Sequence, residues 1–265
     1  MFKFCSLYSG SSGNSLYIET PNTKILIDAG ESCKKITDAL ASINVDIKDI
    51  DAIFVTHEHS DHIKGLGTIS KKYNIPVYAN SLTWDSSSMQ NQKINNENHK
   101  VFDTNKQFKF GNLKIYPFSI PHDAADPCGF NICYKKNKIS IATDIGHLSN
   151  EIIENLENSS FILLESNYDP DVLKCSSYPY RLKERIAGPY GHLSNISAGK
   201  AISHLLDTGL KKVMLGHLSE ENNFPELAYK TVVNEIIDNN NNFDLSTLNI
   251  SIANRYEPSS IINLD

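Results

Sequence analysis

The segment Thr56-His57-Glu58-His59-Ser60-Asp61-His62 places three imidazoles and an aspartate between positions 57 and 62, directly after the apolar run Ala52-Ile53-Phe54-Val55. Neutral imidazole and carboxylate suit Zn, Mn or Fe. Their density, with no cysteine pair nearby, points to a catalytic metal site and away from a closed structural one. Three of the nine histidines of the chain fall in this one stretch, a clustering that isolated structural histidines do not produce. On a helix, His57, His59 and His62 would not share a face, because offsets of two and five are not the helical three and four. The segment therefore reads as a strand that runs into a loop, with the loop folding its side chains around ions.

Three later positions have the same character, each at the end of an apolar run. His122 follows Ile115 to Pro121, Asp144 follows Ile139 to Thr143, and His217 follows Val213 to Gly216. Strand ends of one sheet converge on one edge, so these groups can meet the His57 loop in space. His192 lies in Gly191-His192-Leu193-Ser194-Asn195, before a helix expected to begin near Asn195. An imidazole beside a helix N-terminus suits a phosphate contact or proton donation to a leaving oxygen, and Ser194 reads as the helix cap. Both His192 and His217 stand in Gly-His-Leu-Ser, and the position of His217 after a strand favours it as the ligand. Asp28 ends Ile25-Leu26-Ile27 and precedes Ala29-Gly30, where a carboxylate either supports neighbouring loops or caps a following helix. His99, His147 and His204 read as surface or structural residues.

Two further stretches could meet an anion. The Gly/Ser-rich turn from Ser9 to Ser15 offers successive backbone N–H groups that can form an anion-binding concavity, or it is a plain hairpin turn. From Lys174 to Arg185, four cations (Lys174, Arg181, Lys183, Arg185) stand against Glu184 alone, with Tyr178 and Tyr180 between them. Cations attract phosphate and tyrosines stack on bases, so this segment is a candidate nucleic-acid contact, a solvated loop being the alternative.

The H-x-H-x-D-H sequence resembles the metallo-β-lactamase superfamily, and the resemblance runs over almost the whole chain. Ser9-Gly10-Ser11-Ser12-Gly13-Asn14-Ser15 and Tyr190-Gly191-His192-Leu193-Ser194-Asn195 resemble its YycJ (WalJ) group, whose members are described as DNA-directed phosphodiesterases. The resemblance implies an α/β fold, a four-layer αββα sandwich of two mixed sheets packed face to face with outer helices. It also implies two divalent metal ions, Zn, Mn or Fe. His57, His59 and His122 would hold one, Asp61, His62 and His217 the other, and Asp144 would bridge them with Asp28 behind the ligands. Ser11, Ser12, Gly13 and Asn14 of the turn, Ser194, and Arg181, Lys183 and Arg185 are the candidate substrate contacts.

The residue at position 144 discriminates among relatives. A Cys in the second-metal site marks the best-known β-lactamases, whereas a bridging Asp goes with dinuclear phosphodiesterases and thioester hydrolases, so Asp144 argues against antibiotic hydrolysis. His59 is not replaced by Glu, which speaks against the iron flavoprotein branch. Only 73 positions separate Asp144 from His217, too few for the additional domain of RNase J-like relatives. Two metals roughly 3.5–4 Å apart lower the pKa of a bridging water, bind a phosphoryl oxygen and stabilise the leaving alkoxide. The resulting hydroxide is the expected nucleophile, oriented by Asp61. The expected function is a phosphodiesterase on nucleic acid, a 5′-to-3′ DNA exonuclease. The alternatives are a cyclic phosphodiesterase or glyoxalase II-like thioester hydrolase, and a non-catalytic, metal-stabilised regulatory module.

The elements that must position these groups are short. Strands are expected near Phe2 to Leu7, Leu16 to Glu19, Lys24 to Asp28, Pro76 to Ala79, Phe108 to Phe110, Leu113 to Ile120 and Phe130 to Tyr134. Others follow at Ile139 to Ala142, Phe161 to Glu165, Val213 to Leu215 and Leu248 to Ala253. Helices are expected over 32–43, 65–73, 149–156, 195–208 with Gly209 as its cap, and 225–237. The polar segment from Ser81 to His99 reads as an excursion over the site, and 239–242 as a low-complexity turn. With 265 residues, 40% hydrophobic and 21% charged, no repeat and no Pro-rich linker, one globular domain over 1–265 is expected. Five scattered cysteines fit neither a disulfide framework nor a thiolate zinc site. No apolar run reaches the roughly 20 residues of a membrane span, and a cytoplasmic location is expected. A net charge of −6 counts against a protein that coats nucleic acid generally, though not against a nuclease that grips a few phosphates. Oligomeric state is not legible.

Overall fold

The computed structural model describes residues 1–240 and 243–264. In chain order the strands are β1 (Phe2–Tyr8), β2 (Ser15–Thr20), β3 (Thr23–Ile27), β4 (Ala52–Phe54), β5 (Val77–Ala79), β6 (His99–Val101) and β7 (Phe108–Phe110). They continue as β8 (Leu113–Ser119), β9 (Cys128–Tyr134), β10 (Asn137–Ala142), β11 (Phe161–Glu165), β12 (Lys212–Gly216), β13 (Asn249–Ile252) and β14 (Ile262–Leu264). The helices are α1 (Cys33–Ser42), α2 (Ser60–Ile63), α3 (Leu66–Tyr73), α4 (Ser81–Asp85) and α5 (Ser87–Gln90). After them come α6 (Asn150–Leu156), α7 (Pro170–Cys175), α8 (Tyr180–Ala187), α9 (Asn195–Leu205) and α10 (Pro225–Asn239).

The strands form two seven-stranded sheets, ordered β14-β1-β2-β3-β4-β5-β6 and β13-β12-β11-β10-β9-β8-β7. Each has an antiparallel half and a parallel half: β3 to β6 run parallel in the first sheet, and β10 to β13 in the second. Strands buried on both faces read as continuous apolar runs, and their two-residue alternation sorts the side chains into different layers. Ile25, Ile27, Ala52 and Phe54 face the opposite sheet, where they meet Phe130, Ile139, Phe161 and Leu163. Leu26 and Ile53 face the other way, onto Ile36 and Leu40 of α1 and Leu66 and Ile69 of α3. On the far side Ile162 and Leu164 pack against Ala198, Ile202 and Leu205 of α9 and Ala228 and Val232 of α10. The result is the expected αββα sandwich. Rings cross between the sheets, with Phe4 and Phe161 centroids 4.6 Å apart.

Several local expectations change. The polar segment 81–99 does not lie over the site. Trp84 and Met89 are buried against the helices of the first sheet, Trp84 Nε1 donates to the carbonyl of Lys100, and His99 begins the edge strand β6. Two large apolar side chains outweigh the polarity around them. The segment 174–185 is not a solvated loop, because Asp169 caps α7 with Pro170 at its first turn and α8 follows from Tyr180. β6 and β14 carry no signal of their own and exist as edge strands only through pairing with β5 and β1. Of the turn expected over 239–242, residues 241 and 242 lie outside the described residues. Among the described residues no helix is long and apolar enough to cross a membrane.

Phe54 is fully buried between the sheets, with the Phe130 ring 6.2 Å and the Tyr78 ring 4.8 Å away. Phe54→Ala is expected to lower the unfolding free energy by about 3–5 kcal/mol. Urea denaturation measures this, and a loss below about 1 kcal/mol would mean that the sheets collapse over the gap.

Candidate metal centre

Most of the residues singled out as ligands come from the C-terminal ends of the parallel strands, while His122 follows the antiparallel strand β8. Asp28 follows β3, the His57 segment follows β4, Asp144 lies just beyond β10, and His217 follows β12. Asp28, Asp144 and His217 all adopt left-handed backbone, with φ of 62°, 60° and 54°. This conformation is unfavourable for a residue with a side chain, though Asp and His tolerate it better than most. It turns the chain sharply off the strand and leaves the side chain over the sheet edge. The His57 loop is partly helical. Position 59 is extended, and a single turn, α2, begins at Ser60, so Asp61 and His62 fold back toward His57, whose ring centroid is 4.0 Å from that of His62.

Ligand atoms of His57, His59 and His122 lie within 4.8 Å of one another, as do those of Asp61, His62 and His217, and Asp144 groups with His57 and His62. Each imidazole has one nitrogen held from behind. His62 Nδ1 is 2.8 Å from Asp28 Oδ2, His57 Nδ1 is 3.0 Å from Thr56 Oγ1, and His122 Nδ1 is 3.1 Å from the carbonyl of Gly191. His59 is turned around, with Nε2 3.2 Å from the carbonyl of Asp123 and Nδ1 3.3 Å from His122 Nε2. Such backing fixes tautomer and ring orientation, as in metal sites generally. Of the buried side-chain atoms that lack a hydrogen-bond partner among the described residues, three are His57 Nε2, His217 Nε2 and Asp144 Oδ2. Each belongs to one of these groups, and a divalent cation would satisfy all of them; the donor set fits.

Asp28 therefore acts behind His62 and not as a helix cap. Its carboxylate also accepts from the Thr56 amide at 2.9 Å and the Thr56 hydroxyl at 2.8 Å, while Ser32 caps α1. The residue that the sequence reading overlooked is Glu165, fully buried at the end of β11. One oxygen lies 2.8 Å from both His217 Nδ1 and His192 Nδ1, and the other accepts from the amides of Ile145 and Leu193. The available signal was a carboxylate ending an apolar run, as at Asp28. His217 is thus aimed at Asp61 and His62, and His192 stands one step outward, more exposed than His217 and grouped only with Asp144, Glu165 and His217.

The other candidates are placed differently. Asn14 is buried, and its side chain is engaged by the Gly10 amide at 2.9 Å, Asp61 Oδ2 at 3.3 Å and His62 Nε2 at 3.1 Å, so it positions the loop. Its amide donates to the carbonyl of Asp61 at 2.7 Å. Gly30 makes this approach possible, because a Cβ there would stand 1.6 Å from the Asp61 carbonyl oxygen. The Gly13 amide closes the turn onto Gly10, leaving Ser11 and Ser12 exposed. Ser194 caps α9 by accepting from the Ser197 amide. Lys183 donates to the carbonyls of Lys174 and Ser176 at the end of α7, and Arg185 pairs with Asp123 at 2.6 Å, which leaves Arg181 exposed on α8.

The electrostatics follow from burial against mutual charge. Burial works against an imidazolium at His62, and Asp28, Asp61 and Asp144 overcome it, holding its pKa well above the ordinary value. In the same way burial opposes and Asp144, Asp61 and Glu165 raise His217, to about 10. His57 goes the other way: burial, then neighbouring His62 and His122, depress it well below 6.5. Burial also opposes ionisation of Asp61, and His62 and His217 outweigh it, keeping the carboxylate charged.

A family model described as "Beta-lactamase superfamily domain" matches residues 23–218. The chain belongs to the metallo-β-lactamase superfamily. Within it, the chain is 43% identical over 239 residues to Exodeoxyribonuclease WalJ of Streptococcus pneumoniae serotype 2, covering 89% of this chain and 88% of that protein. It is 36% identical over 229 residues to Exodeoxyribonuclease YycJ of Bacillus anthracis, covering 86% and 87%. These relatives place it in the YycJ (WalJ) group. The metallo-β-lactamase fold protein YhfI from Bacillus subtilis superposes with a TM-score of 0.70 at 15% identity over 98% of this chain and 99% of that one, a likeness of fold. The superfamily fold and the His/Asp groups together make this a divalent-metal-binding chain.

Two outcomes are expected. In metal-free protein, the raised His62 and His217 contribute stability that is complete below pH 6.5 and is lost as pH rises above it, for His217 toward about 10. His57 and His122, both depressed, stay neutral above pH 6.5 and do not offset this. The Tm of chelated protein should therefore fall between pH 6.5 and about pH 8.5, below the thiol range, while metal-loaded protein loses this dependence; identical profiles would contradict the assignment. Glu165→Gln should weaken metal binding by about 10–100-fold in a chromophoric chelator competition, and an unchanged affinity would deny Glu165 its positioning role.

Proposed function

We propose that this chain is a metal-dependent exodeoxyribonuclease with two divalent ions, Zn, Mn or Fe, acting in the cytoplasm as one domain on DNA in the 5′-to-3′ direction. The observation that carries the reading is that three buried atoms without a hydrogen-bond partner, His57 Nε2, His217 Nε2 and Asp144 Oδ2, belong to overlapping groups of metal-ligating side chains beyond the ends of the strands. His57, His59 and His122 would hold one ion and Asp61, His62 and His217 the other, with Asp144 between them. Bound there, the ions would supply an activated water and neutralise a phosphoryl oxygen. The nucleic-acid substrate is supported by relatives named as exodeoxyribonucleases, which this chain matches over 88% and 87% of their length. Free thiols at all five cysteines accord with a reducing compartment.

The residues divide the remaining work. Asp61, held by Asn14 and kept ionised by His62 and His217, orients the attacking water and accepts its proton. His192 is the proton donor to the leaving oxygen. Burial opposes its charge, but Glu165 outweighs it and raises its pKa, so the imidazolium is available at neutral pH on the more open side of the cluster. Arg181 on α8, and Arg185 once a phosphate competes with Asp123, guide the strand toward the site. Ser11, Ser12 and Gly13 belong to the turn whose Asn14 contacts Asp61, and Ser194 caps α9, which begins just after His192.

End-labelled single- and double-stranded DNA, with Mn or Zn, tests this. Wild type should shorten the strand stepwise, chelation should abolish cleavage, and Asp61→Ala should lose about 10²–10⁴-fold in rate. If metal-loaded wild type leaves every polymer intact but turns over cyclic phosphodiesters or thioesters, the small-molecule hydrolase reading replaces this one. If chelation lowers Tm and no substrate is ever cleaved, the protein is a metal-stabilised regulatory module.

A further inference from the structure

Beside the metal centre, on the far side of His217, lies a cavity of about 510 Å³. Ser9, Leu218, Phe224, Ile252, Arg255 and Tyr256 are among the residues that line it. It shares a wall with the metal centre, since Ser9 Oγ accepts from the His217 amide at 2.8 Å, and the turn that begins at Ser9 ends at Asn14, against Asp61. Its size is that of a small-molecule subsite.

Arg255 is the cation of this cavity. Among the described residues it has no carboxylate partner, in a chain whose net charge is −6. One terminal nitrogen, Nη2, donates to the carbonyl of Leu218, and the other, Nη1, reaches Ser11 Oγ at 3.4 Å and Ser12 Oγ at 3.5 Å. Contacts that long are weak, so Nη1 is open to a better acceptor. The guanidinium is nevertheless fixed in place. It packs against the backbone of Gly10, where φ is +152° and a Cβ would stand 2.9 Å from Arg255 Cζ. A planar, immobilised guanidinium flanked by two exposed hydroxyls matches the geometry of a phosphate dianion. The apolar part of the cavity ends in two exposed rings, Phe224 at 51% and Tyr256 at 58% exposure. Exposed rings beside a cation are what a nucleobase stacks on. The one acid on the rim that touches these groups, Glu220, is occupied by the Tyr256 hydroxyl at 2.6 Å.

We propose that this cavity takes the terminal nucleotide of the substrate strand, with its 5′-phosphate on Arg255, Ser11 and Ser12 and its base against Phe224 and Tyr256. The proposal rests on the nuclease reading and deepens it: a seated terminal phosphate places the next phosphodiester over the metal centre and gives the enzyme its polarity. No bond is made or broken in this subsite.

The test compares 5′-phosphorylated with 5′-hydroxyl single-stranded DNA on metal-loaded wild type, Arg255→Ala, Arg255→Lys and the double variant Ser11→Ala/Ser12→Ala, with circular dichroism to confirm folding. Wild type should degrade phosphorylated ends about tenfold faster, as expected for charge-assisted hydrogen bonds. The ratio should fall to about one in Arg255→Ala, partly recover in Arg255→Lys and be intermediate in the serine variant, whose exposed hydroxyls can be removed without unfolding the turn. Equal rates of wild type on both ends, or an equal loss on both ends in Arg255→Ala, overturns the proposal. A second readout separates it from the nuclease reading. Calorimetric binding of thymidine 5′-monophosphate should weaken about tenfold in Arg255→Ala. If no DNA is cleaved but this Arg255-dependent binding persists, the nuclease reading falls and the phosphate subsite stands. If the mononucleotide binds wild type and Arg255→Ala alike, the subsite falls whatever happens to DNA.

Discussion

A buried polar atom without a hydrogen-bond partner costs on the order of 1–3 kcal/mol, and this fold holds His57 Nε2, His217 Nε2 and Asp144 Oδ2 in that condition beyond the strand ends of its two sheets. Proteins do not keep such a cluster unless the surrounding structure leaves the side chains no other direction to point. The backing contacts supply that constraint. Asp28, Thr56, Gly191 and Glu165 each engage the rear nitrogen of an imidazole, and the rotation that would let the front nitrogen find a partner elsewhere would break that bond. Asp28 and Glu165 are themselves anchored on backbone amides, so the chain of restraint ends in the sheets.

The sheets can bear this because their strands are buried on both faces. Alternation sends Ile25, Ile27 and Phe54 into the inter-sheet core and Leu26 and Ile53 onto the helices, so neither face can slip by one residue without exposing apolar surface. The parallel halves bring the strand ends together, and the left-handed residues at Asp28, Asp144 and His217 convert those ends into sharp corners. The turn from Ser9 to Asn14 then ties the two sheets' loops together, with Ser9 on His217 and Asn14 on Asp61. One short segment thus sets the relative position of groups more than 150 residues apart in sequence.

Charge is distributed to the same end. The acidic groups of the cluster lie next to imidazoles, whose charge they sustain in the absence of cations, and a divalent ion takes the place of those protons as their partner. Arginine is kept to the rim: Arg185 bound to Asp123, Arg181 on α8, and Arg255 across the Ser9 turn. An acidic protein can in this way receive a polyanion, with bound ions and a few arginines supplying the local positive field.

The residue types and spacing from His57 to His62 determined the metal chemistry without any structure, because ligands crowded into one loop need little else to meet. His122, Asp144 and His217 were legible as polar groups ending apolar runs, and the layered fold was legible in the alternation of short strands and amphipathic helices. Glu165 was not, since it reads as the last residue of a strand and gains its role only where His192 and His217, 27 and 52 positions away, fold onto it. The two Gly-His-Leu-Ser motifs are locally identical; the apolar run before His217 favoured it in the sequence, and the sheet carries His217 beside Asp61 and leaves His192 outside. Residues 81–99 went astray for a related reason, because the burial of Trp84 and Met89 depends on a helical surface supplied from elsewhere in the chain. Local spacing determined which groups could bind metal; long-range packing decided which of them face one another, because burial, backing hydrogen bonds and charge act between residues distant in sequence.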